Sequence, residues 1–143
     1  MTEKSTETKV TEANEAALEL AKLSDSERSE GLHSIADAIK ESHDEILEAN
    51  AADVEAAEEM LAKGEYSRAL VDRLERSPSK LKSIEEMVRS VAEQADPLGK
   101  TLTARRLDEG LELYKVAVPI GVIGTVFESR PDALVQIAAL SLK

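Results

Sequence analysis

Through the first two thirds of the chain, apolar residues recur every three or four positions, the spacing that lines up one face of a helix. Ala13, Ala16, Ala17 and Leu20 share such a face and predict a helix over 10–23. Residues 1–9 are dominated by Thr, Glu, Lys and Ser, offer no apolar anchor and are expected to be a disordered N-terminus. Ser24 followed by Glu27 has the form of a capping box, in which each side chain accepts the other residue's unpaired backbone N–H. It opens a second helix with Leu32, Ile35, Ala36 and Ile39 on one stripe. Ser42 and Glu45 repeat the pattern for a short helix ending near Asn50. Asn50 is expected to cap the next helix, which carries Val54, Ala57 and Leu61 on one face and stops at Gly64. A short helix from Ser67 to about Glu75 follows. Ser77-Pro78 then supplies a cap and a first-turn proline for the clearest amphipathic helix, marked by Leu81, Ile84, Val88, Val91 and Ala95. Asp96-Pro97-Leu98-Gly99 ends it.

The period changes near residue 100. Thr101–Leu107 and Leu111–Val118 are rich in strand-forming residues, with Asp108-Glu109-Gly110 as a turn of hairpin length. After Pro119, Ile120-Gly121-Val122-Ile123-Gly124-Thr125-Val126-Phe127 is a nearly unbroken apolar run, as expected of a parallel strand covered on both faces. Ala133–Leu142 is apolar on almost every side, which predicts a buried helix. The expected fold class is α/β. The chain should be mainly helical up to about residue 96 within a region 10–99, then form a β-hairpin over 100–118 and one buried strand–helix unit over 119–143. A right-handed crossover needs a second parallel strand after its helix, and Lys143 stands where the turn into it should begin, so the chain is expected to be truncated. Each exposed Leu or Ile of that last helix forgoes roughly 1.5–3 kcal/mol of burial, so the C-terminal third should be sticky alone. The other arrangement has the acidic helices wrapping the hairpin and final strand into a small α+β domain.

Composition narrows the function. With 29 acids against 18 bases, the formal charge of −11 spreads negative potential over the surface, so neither nucleic acid nor an anionic membrane is an expected partner. No apolar stretch is long enough to span a bilayer, and the N-terminus has no secretory pattern, so a cytoplasmic protein is expected. The absence of Cys removes disulfides, thiolate metal sites and thiol nucleophiles together.

Candidate chemistry converges at Phe127-Glu128-Ser129-Arg130-Pro131-Asp132. A strand feeding a helix places this junction at the carboxyl end of a sheet, where ligands of open α/β sheets bind. Arg130 can clamp a carboxylate or phosphate in bidentate fashion, Ser129 can donate a hydrogen bond, and Pro131 stiffens the loop. Asp132 in the first helical turn should compete with a bound phosphate. From spacing alone, the plainer reading is a capped helix with a solvent-facing Arg–Glu pair. His33 and His43 have no partners at ligand spacing and read as exposed helix residues, so no metal is expected. Glu58-Glu59 and Glu85-Glu86 read as solvated faces. Gly121 and Gly124 do not make a dinucleotide fingerprint and more plausibly permit close packing.

Val118-Pro119-Ile120-Gly121-Val122-Ile123-Gly124 followed by Phe127-Glu128-Ser129-Arg130-Pro131 closely resembles the signature of the γ-glutamyl phosphate reductases, also called glutamate-5-semialdehyde dehydrogenases, of the aldehyde dehydrogenase superfamily. Asp132-Ala133-Leu134-Val135-Gln136-Ile137-Ala138 departs from the usual bacterial Asn after that proline. It is similar to the reductase half of bifunctional pyrroline-5-carboxylate synthetases. Ile35–Ile39, Glu45–Val54 and Leu70–Leu74 resemble the family's N-terminal segments, so the likeness covers about 13–143. The resemblance implies the N-terminal portion of an aldehyde dehydrogenase-like fold, with 119–143 as the start of the cofactor-binding domain. It implies NADP as cofactor and NADPH-dependent reduction of γ-glutamyl phosphate to glutamate semialdehyde with phosphate release, in proline biosynthesis. The family's catalytic cysteine has no counterpart here, so this piece alone is expected to be inactive. By carry-over Glu128, Ser129, Arg130 and Pro131 line the pocket, with Ser129 near the reacting carbonyl and Arg130 on an anionic group. The hairpin at 101–118 resembles the arm through which such enzymes form homo-oligomers, and a glutamate 5-kinase is a possible partner. The alternative is a short, non-catalytic interaction protein derived from this family.

Overall fold

The structure, a computed structural model, describes residues 5–128 and 130–143. The described residues form six helices and two strands: α1 (Thr6–Leu20), α2 (Asp25–Glu41), α3 (His43–Ala62), α4 (Arg68–Leu74), α5 (Pro78–Ala92), β1 (Thr101–Asp108), β2 (Leu111–Val116) and α6 (Pro131–Leu142). They divide into two units, one of residues 5–25 and 95–124, the other of 26–94 and 125–143.

In the first unit, α1 begins at Thr6 and not near Val10, so residues 6–9 are helical where disorder was expected. The reason is local: Ser5 is extended and its hydroxyl accepts from the Thr8 N–H at 3.2 Å, a cap that needs no apolar anchor. No residue of α1 is buried. The hairpin β1–β2 is antiparallel, with Arg106 opposite Glu112 and Asp108 opposite Leu111. Leu107 is displaced in a bulge, and Gly110 at φ 74° takes the left-handed position of the turn. Beyond the strands, the Gly99 N–H donates to the Ala117 carbonyl at 2.9 Å and the Ala117 N–H to the Lys100 carbonyl at 3.0 Å, which lengthens the ribbon. Every residue of both strands is exposed.

The second unit holds the core. Leu32 and Ala36 of α2, Val88, Val91 and Ala92 of α5, and Ala139 of α6 form one buried cluster, with Ile39, Met87, Val135 and Leu142 packed against it. This follows from the stripe on α5, the strongest separation of apolar and polar faces in the chain, closing on the matching stripe of α2. Small side chains at Ala92 and Ala139 let α5 and α6 approach closely, as a chain with 2% aromatic residues requires. Lys143 fastens the far end of α6: its Nζ donates to the Ser29 hydroxyl at 2.8 Å and to the Ala92 carbonyl at 3.0 Å, a cation on the final carbonyls of α5. Across α2 and α5, Arg89 donates to Asp37 at 2.6 Å and to Glu85 through Nε and Nη2 at 3.1 and 3.0 Å. The hydrogen bond from Arg89, then its charge, holds the Asp37 carboxyl below the usual carboxylate range. Glu85 is thus half-buried and engaged, contrary to its reading as a solvated face.

Further expectations change. The short helix ending near Asn50 and the one after it are a single helix, α3, and the Ser42 side chain makes no cap bond. Asn50 does not cap anything locally. Its Nδ2 donates to the Leu74 carbonyl at 2.9 Å and its Oδ1 accepts from the Arg76 N–H at 2.7 Å, so it ties α3 to the α4–α5 link. Gly64 does stop the helix, at φ 77°, with Glu65 N–H returning to the Met60 carbonyl and Gly64 N–H to Leu61. The apolar run Ile120–Phe127 is not a buried strand: it pairs with no strand among the described residues and is exposed throughout. A strand forms only where another pairs with it in register, and among the described residues β1 and β2 pair with each other alone. Gly121 and Gly124 accordingly permit no close packing here, since a β-carbon at either meets nothing within 4 Å. The last helix is buried on one side only. Ala133 and Ala139 are buried while Leu134 and Leu140 are exposed, so α6 docks one face and leaves the other open. No helix among the described residues is long and apolar enough to cross a membrane.

Candidate functional site

The junction between the apolar run and α6 opens into a cleft of about 510 Å³ lined by Asp72, Arg73, Arg76, Lys80, Arg130 and Asp132. Three chain segments build it. The last turn of α4 brings Asp72 and Arg73, the α4–α5 link and first turn of α5 bring Arg76 and Lys80, and the start of α6 brings Arg130 and Asp132. Pro131 at the first helical position fixes the entry to α6. Arg130 precedes it as the N-cap at φ −135° and ψ 77° with no side-chain cap bond, which leaves its guanidinium available to the cleft.

Arg76 is the buried member, with its side chain only 9% exposed. One Nη donates to the Arg73 carbonyl at 2.8 Å, the other to the Glu75 carbonyl at 3.3 Å, and Nε lies 3.2 Å from Asp132 Oδ1. That last contact is a close ion pair but is not aligned as a hydrogen bond, so both buried atoms are left without a hydrogen-bond partner among the described residues. Lys80 donates to the Glu75 carbonyl at 2.7 Å and thereby closes the end of α4. Arg73 and Arg130 make no side-chain ion pair or hydrogen bond among the described residues. Two uncommitted guanidinium groups therefore share one cleft with a partly committed ammonium group, an arrangement suited to an oxyanion.

Of the residues singled out from the sequence, Arg130 lines this cleft, Pro131 begins α6 and is exposed, and Glu128 is exposed in the bend before it. Ser129 lies outside the described residues. The solvent-facing Arg–Glu pair is replaced by the Arg76–Asp132 contact. His33 and His43 are half-buried and not exposed, and His43 Nε2 is enclosed without a hydrogen-bond partner among the described residues. No group of acidic, His or Cys side chains among the described residues is arranged to hold a metal.

No family model matches the chain. Similarity to whole proteins is extensive: it is 73% identical over all 143 residues to the γ-glutamyl phosphate reductase of Natronomonas pharaonis, covering 32% of that protein. It is 68% identical over 137 residues to the reductase of Haloquadratum walsbyi, covering 30% of it. The crystal structure of the Saccharomyces cerevisiae γ-glutamyl phosphate reductase superposes on 98% of the chain with a TM-score of 0.87 at 36% identity. The chain belongs to the γ-glutamyl phosphate reductase family. It spans about a third of the length of the curated reductases it matches. The Thermotoga maritima reductase structure follows the same path over 94% of the chain, with a TM-score of 0.86 at 33% identity. The mainly helical path with its antiparallel hairpin is therefore that of the γ-glutamyl phosphate reductases, as the resemblance implied.

Sequence reasoning missed Arg73, Arg76 and Lys80 as cleft residues. A signal was available in the local charge. From Arg68 to Lys82 there are five bases, Arg68, Arg73, Arg76, Lys80 and Lys82, against two acids, Asp72 and Glu75, within a chain of opposite overall sign.

Proposed function

We propose that this chain supplies an anion-binding wall of the substrate pocket of a γ-glutamyl phosphate reductase. Such an enzyme reduces L-glutamate 5-phosphate to L-glutamate 5-semialdehyde with NADPH and releases phosphate, in proline biosynthesis in the cytoplasm. The observation that carries this reading is the 73% identity to one such reductase along every residue of the chain. The cleft supports it, since an acyl phosphate substrate brings the negative charge that Arg130 and its neighbours match. In this reading Arg130 binds an anionic group of the substrate, Ser129 donates a hydrogen bond toward the reacting carbonyl, and Glu128 and Pro131 hold the loop between them.

A thiolate route divides the reduction into two steps: attack on the acyl carbon expels phosphate to leave a thioester, and hydride transfer then expels the thiolate. The chain contains no cysteine, so that thiol belongs to residues outside these 143. The described residues do not fit a dinucleotide either. No glycine-rich turn opens α6: Arg130 is its N-cap and Pro131 its first residue. NADPH as the hydride donor thus rests on the family likeness alone.

Arg130→Ala in a complete reductase, at the position corresponding to this residue, should lower kcat/KM about 10-fold or more, the size expected when a hydrogen bond to a charged group is removed. Steady-state kinetics with γ-glutamyl phosphate test this, and unchanged kcat and KM would refute the assignment. The ribbon β1–β2, exposed on both faces and at both edges, supports self-association through residues 101–118. Light scattering of the purified chain should show species larger than a monomer, and a single monomeric peak across concentrations counts against it. A glutamate 5-kinase, which makes the acyl phosphate, is the proposed protein partner, to be sought by co-purification.

A further inference from the structure

Asp132 stands in the first turn of α6, where its charge alone would disfavour an anion. The structure removes that objection. Arg76, held in place by two backbone carbonyls and nearly buried, sets its Nε 3.2 Å from Asp132 Oδ1 and neutralises the carboxylate. Counting the lining residues, four cations face two carboxylates, a local excess of two positive charges in a chain whose formal charge is −11. Such an inversion is electrostatically unfavourable for the empty cleft, because like charges are confined in a concave site where field lines concentrate. A doubly charged oxyanion relieves it.

We infer that the cleft between α4, α5 and α6 is a binding site for a phosphate-class dianion. Arg73 and Arg130 are its direct donors, Lys80 adds charge from the rim, and Arg76 is a positioning residue that cancels Asp132. The fork of each guanidinium matches two oxygens of a tetrahedral anion, whereas a carboxylate is satisfied by one fork and leaves the second arginine uncompensated. This deepens the reductase reading, on which it rests only for the identity of the molecule that carries the phosphate.

The test uses the 143-residue chain and inorganic phosphate, followed by NMR at constant ionic strength so that general screening does not vary. Phosphate should shift the Arg73 and Arg130 signals in a saturable manner. The double variant Arg73→Gln/Arg130→Gln should weaken binding at least tenfold with its helical circular dichroism intact. Lys82→Gln, which removes an exposed base paired with Glu86 at 3.7 Å outside the cleft, should leave binding unchanged. Absence of saturable shifts in the unmodified chain, or shifts confined to residues away from the cleft, overturns the inference without recourse to any variant. Equal loss in Lys82→Gln overturns it too, since the attraction would then be diffuse. L-glutamate is the second probe: if it binds as tightly as phosphate, the site is a carboxylate site and the phosphate assignment fails. None of these outcomes touches the reductase reading, which the Arg130→Ala kinetics of a complete reductase decide separately.

Discussion

Leu32→Ala is expected to lower the unfolding free energy of this chain by about 3 kcal/mol, within the 2–5 kcal/mol range of large-to-small core substitutions. Leu32 is fully buried at 0% exposure, on the face of α2 that meets α5 and α6. Its neighbours in the cluster are chiefly alanines and valines on helix backbones, which cannot swing into the space left behind, so the cavity should persist. Against a domain stability of about 5–15 kcal/mol this is a large fraction. The test is urea unfolding followed by circular dichroism, in which the midpoint should fall while the slope stays constant. A loss under about 1 kcal/mol would mean that α2, α5 and α6 do not share one core.

Asn50→Ala has the next largest expected effect, a loss of about 2 kcal/mol. The side chain serves two backbone groups far along the chain, the Leu74 carbonyl at 2.9 Å and the Arg76 N–H at 2.7 Å, and truncation strands both in a partly buried setting. Asn50→Asp separates the contributions, because it keeps the acceptor for Arg76 and loses the donor to Leu74. The loss should be accompanied by faster amide exchange at Arg76. Because that residue carries the guanidinium facing Asp132, Asn50→Ala should also weaken phosphate binding in the cleft although Asn50 does not line it. Stability within about 0.5 kcal/mol of the unchanged chain would show that water replaces the amide at no cost.

Asn50 also shows where local reading of a sequence stops. An Asn before an apolar stripe is a good cap, but its partners lie 24 and 26 residues away, and nothing within its own window distinguishes a cap from a tie. Features fixed by neighbours in sequence were legible. Ser77-Pro78 starts α5 as its chemistry dictates, with the Ser77 hydroxyl accepting from the Lys80 N–H at 3.3 Å, and Gly64 and Gly110 adopt the positive φ that their turns require. Features that depend on distant partners were not. The run Ile120–Phe127 has strand composition, yet a strand exists only where another offers its edge. At the candidate site, the motif identified Arg130, but the arginines and the lysine opposite it come from a segment about 50 residues earlier that only folding brings near. Asp132 taken with its sequence neighbours alone is an obstacle to phosphate, because its compensating partner, Arg76, is equally remote.

The open ribbon β1–β2 and the apolar stretch behind it set a practical ceiling on how this polypeptide can be handled. Val118, Ile120, Val122, Ile123, Val126 and Phe127 all face water, and the outer edge of each strand pairs with no other strand among the described residues, which leaves it open to an identical neighbour. Clouding on concentration should therefore begin with these residues, and charges placed along the ribbon, rather than a sturdier helical core, are the remedy to try first.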